Sequence, residues 1–254
     1  MEQKVRLVVE YNGENFCGWQ KQPELRSVQE ELYKSLEIVI SEGSVHSVLA
    51  SGRTDAGVHA RRQVVTFCAK LGDTKLDKIA RGVSSIMKNE LSVLAIDIVG
   101  EDFHPVRDSI RKQYTYHIYN LGVPPVLSYK KVLHVPKRLN VDLMRSEAEC
   151  LVGEHDFSSF RGSRCASKIP VRTIESVVID DTHLPLVTIS ICGKGFLKQM
   201  VRNIAGTLIE FGLGKREDDS CKKILSDRSR SRAGVTAQPQ GLFLDWVEYA
   251  EGRL

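Results

Sequence analysis

An aspartate lying between two glycines is the first candidate for chemistry in this chain. Residues 51–60 read SGRTDAGVHA, in which Asp55 follows Arg53 by two positions. Glycine accepts positive φ and aspartate can hydrogen-bond its own backbone, so these letters are also typical of a plain turn. An ionised carboxylate can instead act as a nucleophile or accept a proton, and a turn does not account for the arginine. The segment leaves both interpretations open.

The elements that must position this segment are predicted from hydrophobic periodicity. Residues 47–52 and 63–69 read as two strands on either side of it. Ser27 and Glu30 form a capping box that predicts the start of a helix. The first half is therefore predicted to contain strand 5–11, helix 27–40, strands 47–52 and 63–69, a helix near 74–86 and a strand near 92–99.

The second half repeats the β-α-β-β-α-β order with a longer first loop. Its predicted elements are strand 113–120, helix 141–153, hairpin 175–181 and 185–193, helix 195–212 and strand 241–249. We therefore predict an α+β fold of two ferredoxin-like halves, 1–103 and 104–254, with mainly antiparallel sheets side by side and a central cleft for a ligand. The apolar stripe of helix 195–212 comprises Leu197, Val201, Ile204, Leu208 and Phe211. Arg202 points away from that stripe, so periodicity alone places it in solvent.

Charge and cysteine patterns narrow the possible partners. The six cysteines are scattered without close Cys/His ligand spacing, so we expect reduced thiols and no metal site. The net charge is only +4, but the cations cluster. Such clusters fit either a solvated surface or a phosphate backbone, and nucleic acid becomes a serious candidate. The clusters are Arg61 and Arg62, Lys130 and Lys131, Lys137 and Arg138, Lys215 and Arg216, Lys222 and Lys223, and Arg228, Arg230 and Arg232.

Nothing in the sequence predicts a membrane protein. The first residues, MEQKVRLVVEY, carry three charges within six positions and lack the apolar core of a signal peptide. No later stretch approaches the length of a membrane span. We therefore expect a cytoplasmic protein.

A resemblance to a known family now favours the active-site interpretation. GRTDAGVHA resembles the signature around the catalytic aspartate of the tRNA pseudouridine synthase A family. Further segments agree in order over nearly the whole chain: YNGENFCGWQKQP, RSVQEEL, DFHPVRDSIRKQYTYHIYN, GEHDFSSFRG, FLKQMVRNIAGTL and GLFL. The resemblance implies the pseudouridine synthase fold and conversion of uridine to pseudouridine at positions 38, 39 and 40 of the tRNA anticodon stem and loop. It implies no cofactor and no metal.

The same resemblance assigns roles to four residues. It makes Asp55 the catalytic carboxylate and Arg202 the cation that keeps it charged in a dry site, where desolvation would otherwise raise the carboxyl pKa. It makes Tyr114 the aromatic residue that stacks on the target base. Arg53 would fill the space left when the uridine flips out of the stem. The family also forms homodimers in which one tRNA can touch both subunits, so a homodimer is expected.

The chain departs from the family pattern in three places. Arg62 replaces the usual glycine, SSIMKNELSV lacks a Leu-Pro pair, and DRSRSRAGVTA leaves Ser229 or Asp227 at an aspartate position. These departures concern RNA contacts and target positions more than the reaction. His59 is interpreted as structural.

Two other functions remain as alternatives. The first is a non-catalytic RNA-binding module on the same fold, but the four residues that the resemblance assigns to the site are all present. The second is a hydrolase acting on a small glycoside or nucleotide. Glycosidases usually need a second carboxylate that faces the first, and none stands out near the motif.

Overall fold

The computed structural model describes residues 2–41, 43–216 and 218–254 and confirms the predicted α+β class. Most strand pairs within the two units described below are antiparallel. No helix in the described residues is long and apolar enough to cross a membrane. In chain order the elements are β1 (Gln3–Tyr11), α1 (Val28–Val39), β2 (Val45–Ala50), β3 (His59–Ala69), α2 (Leu76–Ile86), β4 (Leu91–Val99), β5 (Arg111–Tyr119), β6 (Leu133–His134), α3 (Val141–Ala148), β7 (Gly153–Asp156), β8 (Val171–His183), β9 (Leu186–Gly193), α4 (Met200–Gly212), α5 (Cys221–Asp227), β10 (Leu242–Tyr249) and β11 (Gly252–Arg253).

The chain forms two compact units, and the first combines Met1–Ile110 with Phe243–Leu254. Its antiparallel strands lie in the order β4-β1-β3-β2, the ferredoxin-like arrangement expected from the β-α-β-β-α-β sequence. β10 pairs with β3 in parallel, and Phe243 lies opposite His59. β10 is thus an integral part of the unit that carries Asp55.

Helix α1 begins where its capping residues predict. The Ser27 side chain accepts a hydrogen bond from the Glu30 backbone N–H across 3.3 Å, which satisfies one of the open donors of the first turn. Val28, Leu32 and Leu36 are fully buried, and because they are four residues apart they lie on one face of the helix, which packs into the core.

The second unit, Arg111–Leu242, is built around strands β5, β9 and β8. β5 runs antiparallel to β9, with Tyr114 opposite Ile191, and β8 and β9 form the predicted hairpin. β7 pairs antiparallel with β8, and the short β6 pairs in parallel with β5. Helices α3 and α4 pack against each other.

The prediction for helix 195–212 was wrong at its start, whereas all five residues of its predicted apolar stripe are buried. Helix α4 begins at Met200, because Gln199 has a left-handed φ of 60° that an α-helix cannot continue through. The Lys198 carbonyl accepts a hydrogen bond from Gly162 N–H instead of an intrahelical donor. Asn203 and Thr207 lie off the predicted stripe and are nevertheless fully buried. α4 is therefore enclosed on almost every side.

Candidate active site

The segment that contains Asp55 connects β2 to β3, and its first end is fixed by a buried polar pair. Ser51 Oγ donates to Gln63 Oε1 across 2.6 Å, and Gln63 Nε2 donates to the Gly52 carbonyl across 2.8 Å. Both side chains are almost completely buried. Buried polar groups whose hydrogen bonds are made give a segment a defined position, because leaving one unpaired is costly.

Residues 12–19, here called the strap, hold the same connection from its other side. Trp19 N–H donates to the Thr54 carbonyl across 3.1 Å, and Gly57 N–H donates to the Phe16 carbonyl across 3.2 Å. The approach is so close that a Cβ on Gly13 would lie 2.0 Å from the carbonyl oxygen of Val58. The strap therefore fixes the Asp55 connection through its backbone.

A side-chain bond adds to the backbone contacts of the strap. The hydroxyl oxygens of Tyr11 and Thr54 lie 2.8 Å apart in a buried hydrogen bond. Burial raises the pKa of Tyr11 to about 12, so its hydroxyl keeps its proton at neutral pH. Thr54 is thus held at its hydroxyl and at its carbonyl, one residue before Asp55.

Asp55 begins a β-turn, so the plain-turn interpretation of the motif is correct as far as it goes. The Asp55 carbonyl accepts a hydrogen bond from Val58 N–H across 3.1 Å, and Gly57 supplies the positive φ of 77°. Asp55 is half-buried and Arg53 is exposed. A turn whose backbone is clamped on both sides presents a carboxylate in a fixed place, which is what a catalytic role requires.

His59 has a packing role, as its sequence context predicts. Its side chain is 1% exposed, and its Nδ1 accepts a hydrogen bond from Gly13 N–H across 3.0 Å. Its ring stacks on Phe243 with the centroids 4.6 Å apart. The imidazole thereby connects the strap and β10 to the start of β3.

Tyr114 lies in β5 of the second unit and is buried, with 7% exposure. Its ring meets Phe196 edge to face, with centroids 5.3 Å apart. Tyr116, two residues later, is buried, and its hydroxyl donates a hydrogen bond to the Gln238 carbonyl across 2.7 Å. Burial also raises the pKa of Tyr116, so its hydroxyl stays protonated. Of the two tyrosines that share this face of β5, Tyr114 packs on the segment leading into α4.

Arg202 lies in the first turn of α4 and is half-buried, not in open solvent as the helical periodicity predicts. Its Nε donates to the Ala237 carbonyl across 2.8 Å. Ala237 N–H in turn donates to the Arg202 carbonyl across 3.1 Å. The guanidinium is therefore oriented by a segment that lies 35 residues further along the chain.

The basic run at 228–232 faces the protein more than the sequence predicts. Arg228 is exposed and approaches Asp156 at 3.5 Å. Arg232 pairs with Asp227 at 2.7 Å and with Asp219 at 3.3 Å. Arg230 donates to Asn203 Oδ1 across 3.0 Å. All three cations thus contact protein groups, although Arg228 remains exposed, as do Arg61, Arg62, Lys130, Lys131, Lys137 and Arg138.

Sequence reasoning missed a buried cation beside Tyr114. Lys112 is 5% exposed in β5, and burial lowers its pKa to about 8. A signal was present, because residues 112 and 114 share one face of a strand by the two-residue period. Perturbed pKa values cluster at functional sites, so Lys112 belongs with the candidate residues of the second unit.

One set of side chains has the composition of a metal site. Glu2, His46 and Cys68 each bring a ligand atom within 4.8 Å of the others. The three residues are far apart in the sequence, so sequence patterns do not reveal the group. They come together in the fold, where His46 of β2 lies opposite Cys68 of β3. His46 Nε2 lies 2.6 Å from Glu2 Oε1, and this contact accounts for the proximity of those two. No role in the reaction follows from it.

Comparison with known proteins identifies the class. The sequence pattern of a family described as tRNA pseudouridine synthase matches residues 7–106 and 148–250. The tRNA pseudouridine synthase A of Buchnera aphidicola subsp. Acyrthosiphon pisum (strain APS) is 40% identical over 243 residues, which cover 96% of this chain and 90% of the relative. That of Anaplasma phagocytophilum (strain HZ) is 38% identical over 249 residues, covering 97% and 100% respectively. These matches define a class of RNA-modifying isomerases.

The extent of these matches is sufficient to assign the chain to a family. The chain belongs to the tRNA pseudouridine synthase family, whose members isomerise uridine to pseudouridine in tRNA. The matched ranges include both the Asp55 connection and helix α4.

Proposed function

We propose that the protein isomerises uridine to pseudouridine at positions 38, 39 and 40 of the tRNA anticodon stem and loop. The observation that carries the proposal is the clamped Asp55 connection within a chain that matches its relatives over nearly its whole length. A decayed RNA-binding module would have no need to hold one carboxylate so rigidly. The non-catalytic alternative is therefore not favoured.

Asp55 is the proposed catalytic carboxylate. The reaction breaks the bond between ribose C1′ and uracil N1 and rejoins the base through C5. An ionised carboxylate can start it as a nucleophile or as the acceptor of a sugar proton. The strap supports either role, because its backbone contacts at Thr54 and Gly57, on both sides of Asp55, leave the backbone of this residue little freedom.

Arg202 is proposed to keep the Asp55 carboxylate ionised. In this proposal the half 1–103 supplies the aspartate, and the half 104–254 supplies Tyr114 and Arg202. A guanidinium is always charged and its planar fork suits a carboxylate. Its two hydrogen bonds with Ala237 support a positioned rather than a mobile arginine. Tyr114 is proposed to stack on the target base. Arg53 is proposed to replace the flipped uridine, which its exposure supports.

The proposed partner is tRNA, bound by a cytoplasmic homodimer without cofactor or metal. Exposed cations on both units support contact with phosphates, since lysine and arginine supply most of the affinity for nucleic acid. The homodimer rests on the family resemblance, and sedimentation of the protein with and without tRNA tests it.

The Asp55→Asn variant tests the proposed function. Asparagine keeps the shape and removes the charge, so we expect pseudouridine formation to fall by at least about 10,000-fold, the scale on which a group essential to the chemistry acts. Binding of tRNA and thermal stability should stay close to wild type. The exposed Asp73→Asn is the matched control. Pseudouridine is mapped at single-nucleotide resolution in tRNA incubated with each protein.

Three outcomes would change the proposal. Appreciable turnover by Asp55→Asn would show that another group is the catalytic carboxylate. Binding of tRNA by the wild-type protein without any pseudouridine would favour the RNA-binding module. Modification confined to nucleotides outside positions 38, 39 and 40 would leave the reaction intact and refute the proposed target.

A further inference from the structure

Arg202 is attached at two atoms to the segment 233–237. Its Nε donates to the Ala237 carbonyl across 2.8 Å, and its own carbonyl accepts from Ala237 N–H across 3.1 Å. Because these bonds are reciprocal, the segment cannot move without turning the guanidinium. The place of segment 233–237 therefore sets the direction in which Arg202 points.

Arg230 holds that segment from inside the protein. Its guanidinium donates to the Gly234 carbonyl and to Thr236 Oγ1, each across 2.9 Å. It also donates to Asn203 Oδ1 across 3.0 Å. Burial lowers the pKa of Arg230, and the charge of Glu210 partly offsets this.

Asn203 joins this cluster to α4, the helix that carries Arg202. Its side chain is fully buried, its Oδ1 accepts from Thr236 Oγ1 across 2.6 Å, and its Nδ2 donates to the Phe160 carbonyl across 2.8 Å. The amide is thus fixed on both sides. Asn203 follows Arg202 directly in the chain, so the cluster is connected to Arg202 through the helix as well as through Ala237.

Two glycines allow segment 233–237 to lie directly on α4. A Cβ on Gly206 would be 1.8 Å from the Val235 carbonyl oxygen, and one on Gly234 would be 2.8 Å from Thr207 Cα. Thr207 Oγ1 accepts from Gly234 N–H across 2.8 Å. Backbone packed this closely has no room to slide, so side-chain bonds within it can define a position to a fraction of an ångström.

We propose that Asn203, Arg230 and Thr236 are positioning residues that fix Arg202 for the isomerisation. The proposal rests on the role given to Arg202 under the proposed function. It explains why an arginine is half-buried against carbonyl, hydroxyl and amide oxygens, where it cannot serve RNA phosphates as an exposed cation would. Hydrogen bonds from supporting residues are the usual means of holding a functional side chain in its productive geometry.

The first test compares variants of the basic run. Arg230→Met should lower the single-turnover rate at saturating enzyme by about 10-fold to 100-fold, the scale of a misplaced catalytic partner. Affinity for tRNA should stay within about twofold, because the Arg230 guanidinium is half-buried and donates to protein oxygens. Arg230→Lys should restore part of the rate by keeping the charge near the same acceptors. The exposed Arg81→Met, outside the cation clusters, is the control, with a wild-type single-turnover rate.

A double-mutant cycle separates positioning from general damage to the fold. If Arg230 acts through Arg202, then Arg202→Met combined with Arg230→Met should be no slower than Arg202→Met alone. Multiplied losses in the double variant would overturn the proposal, as would a wild-type rate in Arg230→Met. If Arg230→Met does not fold, Thr236→Val replaces it in the same cycle, because this nearly isosteric change removes only the hydroxyl.

The cycle also distinguishes this proposal from the proposed function. A slow Arg202→Met with a fast Arg230→Met refutes the positioning network and leaves the role of Arg202 standing. A wild-type rate in Arg202→Met refutes the role of Arg202 and the positioning network with it, while Asp55→Asn still reports on the carboxylate.

Discussion

Asp55 and Arg202 are held in place by different kinds of contact. The Asp55 connection is gripped mainly by backbone groups of the strap, at distances that leave no room for a Cβ on Gly13. Arg202 depends on segment 233–237, which packs on α4 at Gly206 and Gly234 and is held in addition by a network of buried polar side chains, above all Arg230 and Asn203. Contacts between backbone groups survive most side-chain substitutions but are broken when a closely packed glycine is replaced. A network of side-chain hydrogen bonds is broken whenever one of its polar members is removed.

Substitution of Gly13 by alanine should have the largest effect on stability. The new Cβ would lie 2.0 Å from the Val58 carbonyl oxygen, so strap or connection must shift. We expect a loss of about 3 kcal/mol of unfolding free energy. A shift of about 1 Å at Asp55 should also lower turnover about 100-fold. Denaturant unfolding and single-turnover rates measure the two effects.

Gly100→Ala is the matched control for this prediction. A Cβ at Gly100 would meet no atom within 4 Å, so the alanine should fit without strain. If Gly13→Ala behaves like Gly100→Ala, the strap does not fix the Asp55 connection through its backbone, and the contrast between the two regions fails.

What the sequence could reveal depends on how far apart the contacting residues lie in the chain. The turn that begins at Asp55 is encoded by neighbouring residues, so SGRTDAGVHA is readable from local pattern, as are the capping residues Ser27 and Glu30, whereas the contacts of the strap with this turn are as distant in sequence as the support of Arg202 and were not predicted. The support of Arg202 comes from residues about 30 positions away, and single-chain periodicity carries no information about such partners. Periodicity therefore placed Arg202 in solvent and extended α4 to residue 195, since a left-handed Gln199 leaves no mark in the hydrophobic pattern.

Arg6 and Lys112, one buried cation from each unit, differ in how their surroundings affect stability. Arg6 in β1 forms ion pairs with Asp97, at 2.7 Å, and with Glu251. In the second unit, burial lowers the pKa of Lys112 to about 8, from an ordinary value of 10.5. Paired charges stabilise the folded state or cost little, whereas burial that lowers the pKa of a lysine opposes folding while the lysine is protonated.

Lys112→Met should therefore stabilise the protein at neutral pH. Because the folded pKa lies below the unfolded one, the unfolded chain binds more protons between about pH 8 and 10.5, and wild-type stability rises with pH across that window. The variant should be more stable than wild type by about 1 to 3 kcal/mol at pH 7, with the difference shrinking towards pH 10.5. Denaturant midpoints at pH 7 and pH 10 measure it.

The exposed Lys168→Met serves as the control and should show no such pH dependence. A constant difference between Lys112→Met and wild type from pH 7 to pH 10 would contradict the assignment of the shifted titration to Lys112. Lower stability of the variant at pH 7 would show that the contacts of the lysine outweigh the cost of burying its charge.

The strap also has a side-chain clamp, which gives the smallest predicted effect. Glu90 accepts two hydrogen bonds from Arg26, at 2.8 and 2.6 Å, and one from Asn15 across 3.0 Å. The bond from Arg26 is the largest cause that lowers the pKa of Glu90 to about 2, from an ordinary value of 4.5. Its contribution is therefore complete above pH 4.5 and is lost as the pH falls towards 2.

Glu90→Gln should lower the unfolding free energy at pH 7 by about 1 kcal/mol, because solvent screens much of this partly exposed pair. The loss should shrink at pH 3 and vanish near pH 2, where wild-type Glu90 is itself protonated. Turnover should change by less than about threefold if the backbone contacts between strap and connection are sufficient to place Asp55. Urea unfolding at pH 7 and pH 3 measures the first effect, with the exposed Glu24→Gln as control. If Glu90→Gln loses most of its turnover while its stability stays close to wild type, the position of Asp55 depends on side-chain hydrogen bonds, as that of Arg202 does. The distinction between the two regions would then be wrong.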